Sequence, residues 1–217
     1  MTLKALLKKD FLLLLPKPLY LLLLLGCLTA VPNYPTIIST GYVIMLVFFV
    51  FTFSKENRDA EFTAMLPISR NDLVNARLVT VLILEIAQLT IAALFAIGGA
   101  LGFPEGNKVG IDPNPTLFGT ALLCLSAFNL IFFPLFYRTG YKSGVPMLFG
   151  LLAFLSVYAA VELMVNLIPG WRDIFDTLNP AMMGWQSIFL GVGVVAFVGL
   201  SFLTAHLSRK AFARADL

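Results

Sequence analysis

Apolar runs of membrane-crossing length recur along this chain, and they limit its fold more than any other feature. A bilayer core about 30 Å thick takes roughly 20 apolar residues in a helix. Runs at about 18–32, 36–53, 78–102, 116–137, 144–168 and 185–207 reach or approach that length. Of the 217 residues, 59% are hydrophobic and 12% charged, against about 25% charged in typical soluble domains. A soluble fold of this size has too little interior to hide every run. The expectation is an all-α polytopic membrane protein with six transmembrane helices in a single domain over 1–217.

The polar punctuation divides the chain. Residues 1–17 mix Lys4, Lys8 and Lys9 with Leu3, Leu6, Leu7 and Phe11 on the opposite side. That pattern predicts an interfacial helix with its lysines toward anionic membrane lipid. The P-K-P at 16–18 breaks it and turns the chain into a rather short first span. Pro32 and Pro35 bracket a tight turn before the second span, which ends in Phe48, Phe49, Phe51 and Phe53. Gly98 and Gly102 give the third span a G-x-x-x-G spacing that permits close helix approach. Pro134 predicts a kink in the fourth span. Residues 169–184 carry Trp171, Ile174, Phe175 and Leu178 at helical spacing, which predicts one short external helical segment before the last span.

The basic residues orient this layout. Six spans put both termini on one face, together with Lys4, Lys8, Lys9, Lys17, Lys55, Arg58, Arg70, Arg77, Arg138, Lys142, Arg209, Lys210 and Arg214. Only Lys108 and Arg172 fall on the other, so thirteen of the fifteen basic residues share a side. The bias predicts that this side is cytoplasmic. The first run lacks the cleavage pattern of a signal peptide. Cys27 and Cys124 lie in apolar runs with no partner motif and read as packing residues. His206 is the lone histidine. There is no P-loop, no H-E-x-x-H and no G-x-S-x-G. The pattern therefore predicts no catalytic residues, no metal site, no enzyme activity and no nucleic-acid partner.

The longest charge-rich interval, 54–77, reads S-K-E-N-R-D-A-E-F-T-A-M-L-P-I-S-R-N-D-L-V-N-A-R. Phe62, Met65 and Leu66 recur at helical spacing among charges, and Pro67 stops the helix. A short amphipathic helix at the membrane surface suits a meeting with another protein. Arg70 and Arg77 are expected to anchor its base in the headgroups. Deeper in the membrane, Glu85 lies about two turns beyond Arg77. It has two readings: a structural partner for a neighbouring helix, or the lining of a cavity that substrate crosses. Asn129 reads as interhelical glue, with a place beside that cavity as the other reading.

The 54–77 interval resembles the cytoplasmic loop of ABC-2-type transporter permeases. More narrowly, it resembles small six-span permeases related to bacterial exporters of amphipathic peptides, such as the phenol-soluble modulin exporters. Glu56, Asp59, Glu61, Leu66, Pro67, Ile68, Ser69, Arg70 and Val74 occupy the matching positions. The likeness extends to the layout of the whole chain. It implies a non-catalytic subunit of the prokaryotic plasma membrane that moves amphipathic or hydrophobic cargo, in particular peptides. A separate ATPase chain would bind ATP and magnesium, and a second permease chain would complete a homo- or heterodimer. The coupling surface it implies comprises Glu56, Asp59, Glu61, Phe62, Met65, Leu66, Pro67, Ser69 and Arg70. A non-transporting scaffold or immunity protein that binds a cytoplasmic partner through the same loop is the alternative.

Overall fold

The computed structural model describes residues 3–59, 69–102, 107 and 109–214, and all the regular structure in them is helical. Among the described residues, five helices are long and apolar enough to cross a membrane, and a bent pair of helices makes a sixth if it counts as one span. Helix α1 (Leu3–Lys9) runs on into a π-helical turn, Asp10–Leu14. The chain then bends by 91° at the P-K-P into a 3-10 helix, Lys17–Ala30. Fourteen residues are too few to cross in α-helical form. At roughly 2.0 Å per residue the 3-10 form stretches them to about 28 Å, close to the bilayer core.

Helices α2 (Thr36–Gly41) and α3 (Val43–Glu56) make the second span, interrupted only at Tyr42. Helix α4 (Arg70–Gly102) begins eight residues before the expected third span. The expected boundary marked where apolar sequence starts, whereas the backbone starts at a cap. The Ser69 hydroxyl accepts the Asp72 N–H at 3.0 Å, which satisfies one of the donors that a helix start leaves open. Helix α5 (Pro115–Arg138) opens the same way, with Asn114 accepting the Leu117 N–H and Pro115 in the first turn. Pro134 sits inside α5 without ending it. Helix α6 (Gly144–Leu167) is the fifth span, and α8 (Met183–Ala213) the last. Between them the expected single helix is instead one turn, α7 (Trp171–Phe175), and a 3-10 turn, Pro180–Met182. Leu178 falls outside both, because Asp176 leaves the helical region and Pro180 starts the next turn.

Helix α5 is the axis of the bundle. It packs chiefly against α8 and α6, while α4 packs chiefly against the 3-10 span. Of its most apolar stretch 72% is buried, against 22% for α6 and for α8. Phe51 of α3 fits among Phe132, Phe133 and Phe136 of α5, with ring centroids 4.6–5.1 Å apart and edge-to-face, the arrangement that aromatic quadrupoles favour. Tyr137 extends this cluster to Phe212 near the end of α8, at 5.1 Å.

Glycine permits the closest helix approaches, though not at the expected pair. A Cβ on Gly98 or Gly102 would meet no described atom within 4 Å. Gly99 is the one that contacts the 3-10 span, at Ala30. The two faces of α4 diverge there, and a spacing of four cannot tell which face meets a partner. The tightest crossing is that of α5 on α8, where a Cβ on Gly193 would stand 2.6 Å from the Gly119 carbonyl oxygen. That neighbour is backbone and cannot rotate away. Gly193→Val should therefore cost about 1–3 kcal/mol by overpacking. Gly98→Val should change stability by less than about 0.5 kcal/mol. Thermal unfolding of the two variants in detergent checks the contrast.

Candidate functional site

The charged loop is fastened at its base by a buried ion cluster. Asp59 enters from the end of the second span, Arg77 from two turns inside α4, and Lys9 and Asp10 from the N-terminal segment. One Asp59 oxygen lies 2.7 Å from Lys9 Nζ and the other 2.7 Å from Arg77 Nη2. Arg77 Nε lies 3.5 Å from Asp10 Oδ2, and Lys9 Nζ lies 3.8 Å from Asp10 Oδ1. Arg77 Nη2 also donates to Ser54 Oγ at 3.3 Å, and Thr80 Oγ1 donates to Asp10 at 3.3 Å. The guanidinium carbon stands 5.8 Å from the Phe51 ring centroid, which joins the cluster to the aromatic core through a cation–π contact.

Among the described residues two cations face two anions, so these four groups balance in charge. That balance is what burial demands, because an unpaired buried ion costs several kcal/mol. A guanidinium suits the position, since its fixed fork can address two carboxylates at once. Arg77 is 3% exposed, which corrects the expectation that it reaches the headgroups. Its charge is spent inward, on Asp59 and Ser54 at the start of the loop and on Asp10 of the N-terminal segment. Lys9 likewise turns inward, whereas Lys4 and Lys8 stay exposed.

The residues expected on the coupling surface separate. Glu56 is exposed. Asp59 is buried within the cluster. Ser69 caps α4, and Arg70 is its first residue. Glu61, Phe62, Met65, Leu66 and Pro67 lie outside the described residues. Asp10 was not singled out in the sequence. It shares the i, i+4 row of Leu6 and Leu14, both buried, and an acid on an apolar helix face was the available signal.

Glu85 and Asn129, 44 residues apart, meet between α4 and α5. Asn129 Nδ2 donates to both carboxylate oxygens, at 2.9 and 3.0 Å. Glu85 is fully buried and Asn129 nearly so. Nearby, Gln88 donates to the Ser39 carbonyl at 2.7 Å, tying α4 to α2.

Backbone and side-chain bonds clip the opposite end of the bundle together. The Asp112 N–H donates to Asp176 at 2.9 Å, and the Asn107 N–H donates to Asp112 at 2.5 Å. Asn114 donates to the Phe175 and Thr177 carbonyls, and Gln186 to those of Ile174 and Thr177. Burial raises the Asp112 carboxyl above 3.8; the Asn107 amide opposes the rise, the Asp176 charge adds to it and Arg172 opposes it. Burial raises Asp176 too, against the Asp112 amide and Arg172 and with help from Glu162.

A family model described as "ABC-2 family transporter protein" matches residues 5–212, nearly the whole chain. No curated protein and no solved structure matches the chain significantly.

The cluster predicts a specific double-mutant pattern. Arg77→Gln leaves two buried carboxylates with one lysine and should cost about 3–5 kcal/mol. Adding Asp59→Asn restores the balance and should recover at least about 1 kcal/mol of that loss. Thermal unfolding of the two single variants and the double checks it. At the opposite end, a folded carboxyl raised above its unfolded value contributes most below pH 3.8, and the contribution is lost as pH climbs through the folded value. Asp112→Asn keeps the oxygen that accepts from Asn107 and removes this loss. The variant should unfold at higher temperature than wild type at pH 7, with the gap closing toward pH 4.

Proposed function

Because this chain belongs to the ABC-2 family of transporter proteins, we propose that it is the membrane-spanning subunit of an ATP-driven exporter of amphipathic or hydrophobic cargo, in particular peptides. The phenol-soluble modulin exporter permeases are the nearest functional analogy. ATP and magnesium bind a separate ATPase chain, and two permease chains form the transport unit. The subunit resides in a prokaryotic plasma membrane with both termini in the cytoplasm, and the 54–77 loop meets the ATPase there.

The observation that carries this reading is the ion cluster. A loop that transmits force must not pull loose from the spans that it moves. Here the start of the loop is held by Arg77 of α4 and Lys9 of the N-terminal segment, through Asp59. A push on the loop therefore passes to both flanking spans and to α1 through short, buried, charge-assisted contacts. The burial of Asp59 also divides the labour of the acidic residues. Glu56 and Glu61 belong to docking in this reading, and Asp59 to transmission.

The test is capture of the co-purifying ATPase together with a transport or substrate-stimulated hydrolysis assay. Reversal of both Glu56 and Glu61 to lysine should leave thermal stability within about 0.5 kcal/mol and weaken capture by about tenfold or more. Pro67→Ala keeps the charges but lets the helix run on, and should bind the ATPase while transporting poorly. Full capture and full transport by the double-lysine variant would place docking elsewhere.

A further inference from the structure

Helices α4 and α8 are parted at the loop end by a groove of about 290 Å³ that the transport reading does not use. Its walls include Leu78 and Leu82 of α4 and Phe197, Phe202 and Ala205 of α8, and its polar end is formed by Asn75 and Arg209. Arg209 Nε donates to Asn75 Oδ1 at 2.8 Å. Among the described residues no carboxylate pairs with Arg209. Among the described residues its guanidinium thus meets an amide and no counter-ion, at the end of an otherwise apolar trough.

We propose that this groove binds one anionic phospholipid, with an acyl chain along the trough and the phosphate on Arg209. The dimensions fit one leaflet. From Arg209 back to Phe197 is twelve residues of α8, about 18 Å of helix, against roughly 15 Å for half the hydrocarbon core. The charge fits as well, since the two Nη groups of an arginine match two phosphate oxygens. An apolar transmembrane helix in the same place would desolvate Arg209 and bring it no counter-ion. Phe202 is 74% exposed and Val198 50%, so the trough opens sideways, where a lipid can enter from the bilayer.

The test is native mass spectrometry of the full chain, purified and supplied with phosphatidylglycerol or phosphatidylcholine of equal chain length. Wild type should retain one phosphatidylglycerol with about fivefold preference, the size expected of one basic residue at a membrane surface. Arg209→Gln should lower that preference to near unity, and Arg209→Lys should keep most of it. Ser201→Phe, which fills the trough, should reduce retention of both lipids. Equal retention of the two lipids by wild type overturns the proposal whether or not any variant folds, as does unchanged preference in Arg209→Gln. A photo-crosslinking side chain at position 202 adds a second readout in native membranes. A product of one chain plus lipid supports the proposal. A product of twice the chain mass assigns this face to a second copy and overturns it.

Discussion

Two carboxylates from separate parts of the chain converge on the guanidinium of Arg77, and the loop end of the molecule is arranged around that convergence. Asp59 closes the second span, Asp10 lies in the π turn after α1, and Arg77 stands two turns inside α4. Each would be prohibitively costly to bury alone in this interior. Among the described residues they form a neutral set with Lys9, and that set requires three segments to be in place at once. The N-terminal helix is consequently more than a float on the membrane surface. Its inward side, Leu6, Asp10 and Leu14, is packed, while Lys4, Lys8, Leu12 and Leu13 remain on the outside.

Farther into the bundle the helices are held by a different means. Between apolar helices in lipid there is no hydrophobic drive to associate, so close packing and interhelical hydrogen bonds must supply it. Both are present in layers. Glu85 with Asn129 joins α4 to α5, Gln88 with Ser39 joins α4 to α2, and Thr29 with Ser39 joins the 3-10 span to α2 at 2.5 Å. Backbone approaches at Gly26, Gly99 and Gly193 bring the helices within reach of one another, and Gly150 leaves room for the Phe128 and Phe132 side chains. Polar bonds set register, and small residues set distance.

The bundle is also lopsided. Helix α5 spends most of its surface on its neighbours, whereas α6 and α8 leave most of theirs uncovered. Uncovered apolar surface is ordinary for spans that face acyl chains. On α6 it also offers the proposed second chain a face that leaves the axis at α5 undisturbed. At the clipped end, Asp112, Asn114 and Gln186 tie α5, α7 and α8 together through bonds between side chains and backbone, beside the buried Ile111.

Much of this was written in the sequence. Run length and scarcity of charge determine that the chain spans a membrane as helices, because lipid offers a peptide group no other partner. The P-K-P at 16–18 is local chemistry and legible residue by residue, whereas the Ser69 cap starts α4 eight residues before the apolar run and 169–184 divides into two turns where one helix was expected. The tertiary structure decided which way each polar group faces. Arg77 and Asp59 are eighteen positions apart, and Glu85 and Asn129 forty-four; no periodicity announces such partners, since pairing depends on how neighbouring helices are rotated and staggered. The same applies to Gly99 taking the contact that the spacing of Gly98 and Gly102 suggested. Sequence determined what had to be buried, and packing alone determined against whom.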